Sequence, residues 1–238
     1  MQIDRAAVKL KSRETIRTSK PSLLTAALLY TLLGLLISWL SLRLTGVDSE
    51  TLTRVMELSA AGETDALMNL MSRSMPTGTE SLLDLLLRLA YSVVGAGFVL
   101  FTLNTLRRTE PVLGNLLDGF GMMPRLLVLI VLRFILITLW SLLLVIPGII
   151  AAYRYSLAVY VMIDHPEYSA ADCLRESARL TRGYKMQLFL LDLSFILWGL
   201  LCMFPVIGYA VQVWVTPYLE LCKAQYYEIV CNNKDVTF

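Results

Sequence analysis

A carboxylate lies in the middle of an apolar stretch, in the segment LFLLDLSFILWGLL at residues 188–201. An ionised side chain at the centre of a membrane helix costs about 2.5–3.5 kcal/mol on insertion scales. Asp192 must therefore have a partner that offsets this cost, or a function that uses the charge. Such residues usually face the interior of a helical bundle, pair with one another, and mark ligand or proton pathways. Five other ionisable residues lie within or beside apolar runs, namely Asp84, Arg88, Arg133, Arg154 and Glu220.

Three of these residues are predicted to share an inner polar layer. At 1.5 Å per helical residue, Arg133 lies roughly 10 Å from the inner end of its apolar run, Asp192 lies roughly 6 Å from the inner end of its own, and Glu220 is at a similar level. The matched depths predict an ion pair between Arg133 and Asp192 inside the bundle. Alternatively, Asp192 accepts hydrogen bonds from Ser194 or from water at the headgroup level.

The remaining charged residues predict an outer layer. Arg154 and Arg88 enter from the outer side to roughly 9 Å, and Asp84 lies one helical turn from Arg88. Two interpretations of both layers stay open. In the first, the role is structural: the charged residues hold helices together, or the long arginine side chains extend to the lipid headgroups. In the second, the charged residues line a route for a substrate or for protons.

Catalytic chemistry has little support in the rest of the sequence. The single histidine, His165, has Asp164 and Glu167 beside it, which are possible metal ligands, but a short loop after a membrane helix explains the same residues. The four cysteines show no C-x-x-C pair and none lies in residues 43–80, so we expect reduced thiols. We expect no enzyme activity, no cofactor and no metal. The rival interpretation is an intramembrane enzyme with Asp192 or Glu220 as general acid or base.

Apolar composition indicates how these residues are positioned. The chain of 238 residues is 56% hydrophobic and 17% charged, and its mean hydropathy is +0.63. Roughly 20 residues of helix cross a hydrocarbon core, so long unalternating apolar runs predict spans. We expect a single all-α membrane domain over residues 1–238, a polytopic bundle of about six spans with short cytoplasmic amphipathic helices. The runs cover residues 22–42, 85–103, 126–146, 148–163, 188–204 and 206–222.

Basic residues predict the orientation of these spans, because loops rich in lysine and arginine stay in the cytoplasm. With the basic segment 1–21 inside, six crossings place fifteen basic residues inside and three outside. We therefore expect a multi-pass protein of the cell membrane with both termini cytoplasmic. The polarised charge favours anionic lipid headgroups, and not nucleic acid, as the neighbour.

The segments between the runs are predicted from their turn and cap residues. Residues 43–80 are predicted to form short amphipathic helices on the outer side. Proline and glycine predict tight turns at Ile146–Gly148 and at Phe204–Gly208. Ser169 with Asp172 resembles a capping box, and Gly183 is expected directly after the end of that cytoplasmic helix.

Two cytoplasmic helices carry clustered basic residues. Arg5, Lys9, Arg13 and Arg17 follow one another at a spacing of four, and a second set, Arg175, Arg179 and Arg182, lies late in the helix after Ser169. Both sets are expected to contact anionic headgroups, and the alternative is that they recruit a specific partner, such as a membrane subunit.

Several motifs resemble a known family. The segments IPGIIAAYRYSLAVYVMIDHPEYSAADCLRESARLTRGYK, LFLLDLSFILWGLL and TPYLELCKAQYYEIV resemble the bacterial integral-membrane family catalogued as domain of unknown function 975. The resemblance covers most of the chain and implies no reaction and no substrate. The family pattern would include Pro147, Gly148, Arg154, Asp164, Pro166, Ser177, Gly183, Lys185, Asp192, Ser194, Trp198, Pro217, Tyr218 and Tyr227.

The sequence as a whole favours a non-enzymatic membrane protein. We expect it to bind or move a lipid or an amphipathic small molecule, alone or as the accessory subunit of a transport machine. The alternative is a structural or regulatory scaffold that recruits a partner through its basic cytoplasmic helices.

The orientation is tested with single cysteines and an impermeant thiol reagent added to intact cells. Cysteines at Ser59 and Thr79 should react, because they lie in or beside the outer segment. Cysteines at Ser12, Ser169 and Asn233 should not react. Labelling at Ser169 contradicts the arrangement of the spans.

Overall fold

The computed structural model of the protein describes residues 3–19, 22–44, 49–73, 78–109, 111–201 and 205–235, and every regular element among them is helical. A short 3-10 helix, Gly119–Met122, precedes α7. The α-helices are α1 (Arg5–Thr18), α2 (Leu23–Leu44), α3 (Ser49–Ala61), α4 (Thr64–Arg73), α5 (Gly78–Arg107), α6 (Asn115–Asp118), α7 (Met123–Leu143), α8 (Val145–Arg154), α9 (Ala158–Asp164), α10 (Ala170–Leu180), α11 (Lys185–Leu193), α12 (Ile196–Leu201) and α13 (Pro205–Asp235).

The chain divides into two compact units. One unit contains Leu32–Ser92, and the other contains Met1–Thr31 together with Val93–Phe238. The larger unit contains an apolar core to which α5, α7, α9, α10 and α13 contribute buried side chains. The smaller unit contains α3 and α4, two short helices joined at Gly62, which has a positive φ of 72°. Short helices were expected in this segment.

Four helical segments are long and apolar enough to cross a membrane, which indicates a membrane protein. They overlap the first four runs that the sequence predicts, and they are Leu23–Leu44, Ser81–Arg107, Asn115–Leu143 and Val145–Asp164. The last two predicted spans are not among them. Residues 188–204 contain the ends of α11 and α12, and residues 206–222 belong to the longer helix α13. The expected count of about six is therefore not confirmed.

Apolar side chains on α7 support the membrane assignment. Large aliphatic and aromatic residues along this helix are exposed, whereas only Leu126 and Leu129 are buried. Exposed apolar surface of this extent is typical of contact with lipid or with another protein. The exposed residues include Val128, Val131, Phe134, Ile135, Leu139 and Leu142.

The turn between α7 and α8 is tighter than the sequence predicts. The chain reverses at Leu144, which has an extended backbone with φ −162° and ψ 147°, and α8 begins at the next residue. The expectation of a turn at Ile146–Gly148 was therefore wrong, because these residues form the first turn of α8, where Pro147 needs no N–H partner. A Cβ atom on Gly148 would lie 2.8 Å from the Ser141 Cα atom, so the close approach of the two helices requires glycine.

The second expected turn, Phe204–Gly208, lies partly outside the described residues. The part that is described belongs to α13, which begins at Pro205 and already includes Gly208.

An interruption between α8 and α9 is held by side chains of α10. The helix stops at Arg154 and resumes at Ala158, which leaves backbone groups without helical partners. The Ser177 hydroxyl donates to the Arg154 carbonyl over 3.0 Å and accepts from the Leu157 N–H over 3.2 Å. The Thr181 hydroxyl also donates to the Arg154 carbonyl, over 3.2 Å. Both hydroxyl groups are fully buried, so α10 supplies the polar partners that water cannot supply there.

A second interruption separates α11 from α12. The Ser194 backbone N–H donates to the Leu190 and Leu191 carbonyls, and the Phe195 N–H donates to the Asp192 carbonyl over 2.9 Å. The Ser194 hydroxyl also donates to Leu191, over 2.6 Å. The Ser194 hydroxyl therefore donates to the backbone of the preceding turn. The expected alternative, a hydrogen bond from Ser194 to the Asp192 carboxylate, is not observed.

The helix after Ser169 follows the prediction at its start. The Ser169 side chain accepts from the Asp172 N–H, and the Asp172 carboxylate accepts from the Ser169 N–H, which is a complete capping box. The hydrogen bond from the Ser169 hydroxyl is the main cause of the lowered pKa of the Asp172 carboxyl, and the hydrogen bond from the Ser169 N–H lowers this pKa further. The end differs by one residue, because Thr181 is the C-cap and Gly183, with φ 89°, lies two positions beyond it.

Helix α1 packs on α13 through a buried stripe, with its basic residues beside that stripe. Val8, Ser12 and Ile16 are buried. The Gln225 amide donates to the Ser12 hydroxyl over 2.9 Å. A cysteine at position 12 would be shielded on either side of the membrane, so the exposed Thr18 is the better site for the orientation test.

Replacing Ser177 by alanine should weaken the fold at the first interruption. The Leu157 N–H would lose its partner in a buried position, which costs about 1–3 kcal/mol in the free energy of unfolding. Unfolding in mixed micelles with increasing dodecyl sulfate measures the change. Ser92→Ala is the matched control, because the Ser92 hydroxyl donates to the Leu89 carbonyl one turn earlier in the same helix. Equal losses for the two variants would contradict the role of Ser177.

Candidate functional site

A cavity of about 580 Å³ that contains four charged side chains lies among α5, α7, α8, α9, α11 and α13, and we refer to it as the charged cavity. Arg133, Asp192 and Glu220 all line it, so the structure brings together the inner polar layer that the sequence predicts. Lys223 lines it as well. The full lining is Val99, Arg133, Ile149, Ala152, Tyr153, Ser156, Leu157, Val159, Tyr160, Leu188, Phe189, Asp192, Glu220 and Lys223.

Asp192 has Lys223 of α13 as its ion-pair partner. The Lys223 Nζ atom lies 3.7 Å from the Asp192 Oδ1 atom, and each side chain is about one-third exposed. The Oδ1 atom itself is buried and accepts no hydrogen bond among the described residues. The pair is thus a wide electrostatic contact. Tyr153 of α8 also interacts with the Asp192 carboxylate, and its ring packs edge-on against Phe189 at 5.8 Å.

The predicted ion pair between Arg133 and Asp192 was wrong. Arg133 lines the same cavity, but no residue in the described part of the chain forms an ion pair or a hydrogen bond with its guanidinium. The prediction rests on the matched depths of the two residues in the membrane, and depth does not specify which side of α7 carries the arginine. Lys223 is the base closer to Asp192, because α13 packs beside α11 and the long lysine side chain extends from α13 to α11.

Glu220 is held by an aromatic residue of α9. The Tyr160 hydroxyl donates to the Glu220 Oε2 atom over 2.8 Å, and Tyr160 is buried. The Tyr160 ring stacks on Tyr227 at a centroid distance of 5.4 Å. The Tyr227 hydroxyl in turn donates to the Asp164 Oδ2 atom over 2.8 Å. Burial raises the pKa of Tyr227 above its ordinary value.

Asp164 belongs to an ion-pair cluster that joins the ends of α5 and α9 to α13. The Arg107 guanidinium donates twice to Asp164, over 2.7 Å for each bond, and once to Glu228 over 2.6 Å. A planar guanidinium suits this bidentate contact, and partial burial shields it from water. The cluster ties α5 to α9 and α13 beside the charged cavity, although the cavity lining includes none of its charged residues.

The residues of the predicted outer layer belong to both units. In the smaller unit the Arg88 guanidinium pairs with Asp84 at 2.7 Å, and the Ser41 hydroxyl donates to the same carboxylate. Arg154 belongs to the larger unit, where its side chain is exposed and its guanidinium lies 5.7 Å from the centroid of the Tyr155 ring. Arg154 does not line the charged cavity.

The motif residues have mostly structural positions. Asp192 is the only one of them in the cavity lining. Tyr218 is buried and its ring meets Phe195 edge-on at 5.2 Å. Pro217 is buried inside α13, Lys185 begins α11, Trp198 is exposed on α12 and Pro166 is exposed after α9.

The residues around His165 form a loop, as one of the two interpretations expected. The His165 ring stacks on Tyr168 at 4.5 Å, and its Nδ1 atom lies 3.1 Å from the Glu167 carboxylate. The Arg125 guanidinium donates to the backbone carbonyls of His165 and Tyr168. In the described chain no group of three or more His, Cys, Asp or Glu residues could hold a metal ion.

Sequence reasoning missed most of the partners at the site. Lys223 was counted only as a cytoplasmic base, and Tyr153 and Tyr160 lie in an apolar run where aromatic residues are common. The available signal was spacing, because Glu220 and Lys223 lie three residues apart and so share one face of a helix.

The fold and the site together define an all-helical membrane protein with a charged cavity between its helices. A family model described as protein of unknown function (DUF975) matches residues 7–234. Because the match covers nearly the whole chain, the chain belongs to this family, as its motifs suggested. No curated protein and no solved structure matches it.

A double-mutant cycle distinguishes the observed ion pair from the expected one. Asp192→Leu and Lys223→Leu should each destabilise the protein, and the double variant should recover about 1 kcal/mol in the free energy of unfolding, because neither charge is then left alone. The control cycle, Asp192→Leu with Arg133→Leu, should be additive within about 0.5 kcal/mol. Coupling in the control cycle alone would overturn the assignment of Lys223.

Proposed function

We propose that this protein is a non-enzymatic integral membrane protein that binds or moves a lipid or an amphipathic small molecule, alone or as the accessory subunit of a transport machine. The charged cavity is the observation that carries the proposal. Its volume of about 580 Å³ is in the range of small-molecule sites, roughly 300–1,000 Å³. It is lined by many apolar residues and a few charged ones, as an amphipathic ligand requires.

The two helix interruptions support the same proposal. Irregular backbone at membrane depth is tolerated only where protein buries it or where it lines a cavity. Ser156 and Leu157, at the first interruption, line the charged cavity, and Asp192 lies two residues before Ser194 at the second. Interrupted helices beside a binding site are typical of secondary transporters.

The finer topology belongs to this proposal. Residues 188–204 and 206–222 would form a fifth and a sixth span, so that both termini lie in the cytoplasm of a cell-membrane protein. The basic face of α1 would then contact anionic headgroups, since Arg5, Arg13 and Arg17 are exposed. Nucleic acid is not among the proposed partners.

A scaffold that recruits a partner through its basic helices is the second candidate. The exposed arginines of α1 favour it. Helix α10 favours it less, because Arg175 pairs with Asp172 at 3.1 Å and Arg179 pairs with Glu176 at 2.7 Å. These ion pairs lie within one helix, so α10 presents less free positive charge than its sequence suggests.

Filling the charged cavity tests the proposal. Ala152 of α8 lines the cavity, and Ala152→Phe should reduce the amphiphile that co-purifies in mild detergent at least fivefold, because the ring occupies its space. Native mass spectrometry measures the bound amphiphile. Ala210→Phe is the matched control, because Ala210 is exposed on α13 and does not line the cavity.

Two outcomes would contradict the proposal. One is that neither the wild type nor the control retains an amphiphile. The other is a stoichiometric protein partner whose loss follows charge reversal of Arg13 and Arg17, which would favour the scaffold. Thermal unfolding of all the variants separates lost binding from lost folding.

A further inference from the structure

We infer that the polar end of the ligand is acidic, a carboxylate or a phosphate attached to an apolar chain, and that Arg133 binds it in the charged cavity. This inference rests on the proposed function and specifies its ligand class.

Arg133 is equipped to bind an anion and has no anionic partner among the described residues. A guanidinium carries five N–H donors in a planar fork that matches a carboxylate or a phosphate. In the described part of the chain no side chain forms a hydrogen bond or an ion pair with Arg133. A charge in this position is costly without a counter-charge. An anionic headgroup in the cavity would supply that counter-charge.

The other charged groups of the cavity already have partners. The Lys223 ammonium lies 3.7 Å from Asp192, and Glu220 accepts from the Tyr160 hydroxyl over 2.8 Å. The cavity contains two basic and two acidic side chains, so their formal charges cancel, but the basic and acidic groups are not all paired with one another. Arg133 is the basic group that is left for a ligand, because the Lys223 ammonium faces Asp192. A cationic headgroup near Arg133 would be repelled by its guanidinium.

The apolar part of the lining specifies the rest of the ligand. Val99, Ile149, Leu188 and Phe189 line the same cavity and offer only carbon surface. Each methylene group that moves from water to such a surface contributes about 0.8 kcal/mol. Ile149 is also half exposed on α8, so an alkyl chain can extend from the cavity along the surface of that helix. A free inorganic anion would leave this apolar lining unused.

Probes that share a chain and differ in headgroup test the inference on the wild-type protein. Octanoate, octyl phosphate, octylammonium and octyl glucoside are titrated calorimetrically into the protein in dodecyl maltoside micelles, with empty micelles as the blank. At least one of the two anionic probes should bind ten times more tightly than the cationic and the uncharged probes. Inorganic phosphate should bind at least tenfold more weakly than octyl phosphate.

Variants at matched arginines locate the binding group. Arg133→Leu should weaken the anionic probes at least tenfold, and Arg133→Lys should retain part of the affinity, because it keeps the charge and loses the fork. Arg154→Leu is the control, because Arg154 also lies in a candidate span but does not line the cavity. Removing an unpaired charge from a span should not impair folding, and thermal unfolding checks this.

The outcomes distinguish an error in the inferred ligand class from an error in the proposed function. Equal binding of all four octyl probes overturns the inference and leaves the proposed function standing. Binding of inorganic phosphate as tight as that of octyl phosphate overturns the amphiphile class. An Arg154→Leu variant that loses as much affinity as Arg133→Leu overturns the role of Arg133. Binding of none of the probes overturns the proposed function together with the inference.

Discussion

The need to satisfy backbone polar groups at the interruption between α8 and α9 shapes this fold. In an apolar environment an N–H or C=O group without a partner is costly, so an interrupted helix needs polar side chains from elsewhere. Ser177 and Thr181 supply these groups from α10, which places a polar helix against the middle of an apolar segment. The capping box then fixes where α10 begins, and so the register of both hydroxyl groups.

The interruption also explains why a polar cavity exists among apolar helices. Residues released from a continuous helix point in directions that a regular helix would not allow, and Ser156 and Leu157 line the charged cavity. The charged groups of the cavity come from other helices. Asp192 comes from α11, and Glu220 and Lys223 from α13. A wide ion pair at 3.7 Å and a tyrosine hydrogen bond at 2.8 Å partly offset their charges.

The cluster of Arg107, Asp164 and Glu228 has a different role from the cavity. Its bonds are short, the contact with Asp164 is bidentate, and together they join the ends of α5 and α9 to α13. The contacts of Asp192 are longer, and one of its carboxylate oxygens accepts no hydrogen bond among the described residues. Well-satisfied ion pairs favour rigidity, whereas incompletely satisfied polar groups mark positions where a ligand or water can bind. Each region contains one residue of the segments that resemble the family, Asp164 in the cluster and Asp192 in the cavity.

The sequence by itself determined the features that depend on local composition and spacing. It specified the helical class, the first four apolar runs, the short helices of residues 49–73 and the start of α10, because apolar length and cap residues act over a few neighbours. The sequence also predicted that Arg133, Asp192 and Glu220 lie at similar depths in the membrane. Only the tertiary structure decided that Asp192 meets Lys223 and that Arg133 has no partner in the described part of the chain. Depth along a helix follows from residue number, but the direction in which a side chain points depends on how each helix rotates and packs, and these contacts join residues far apart in the chain.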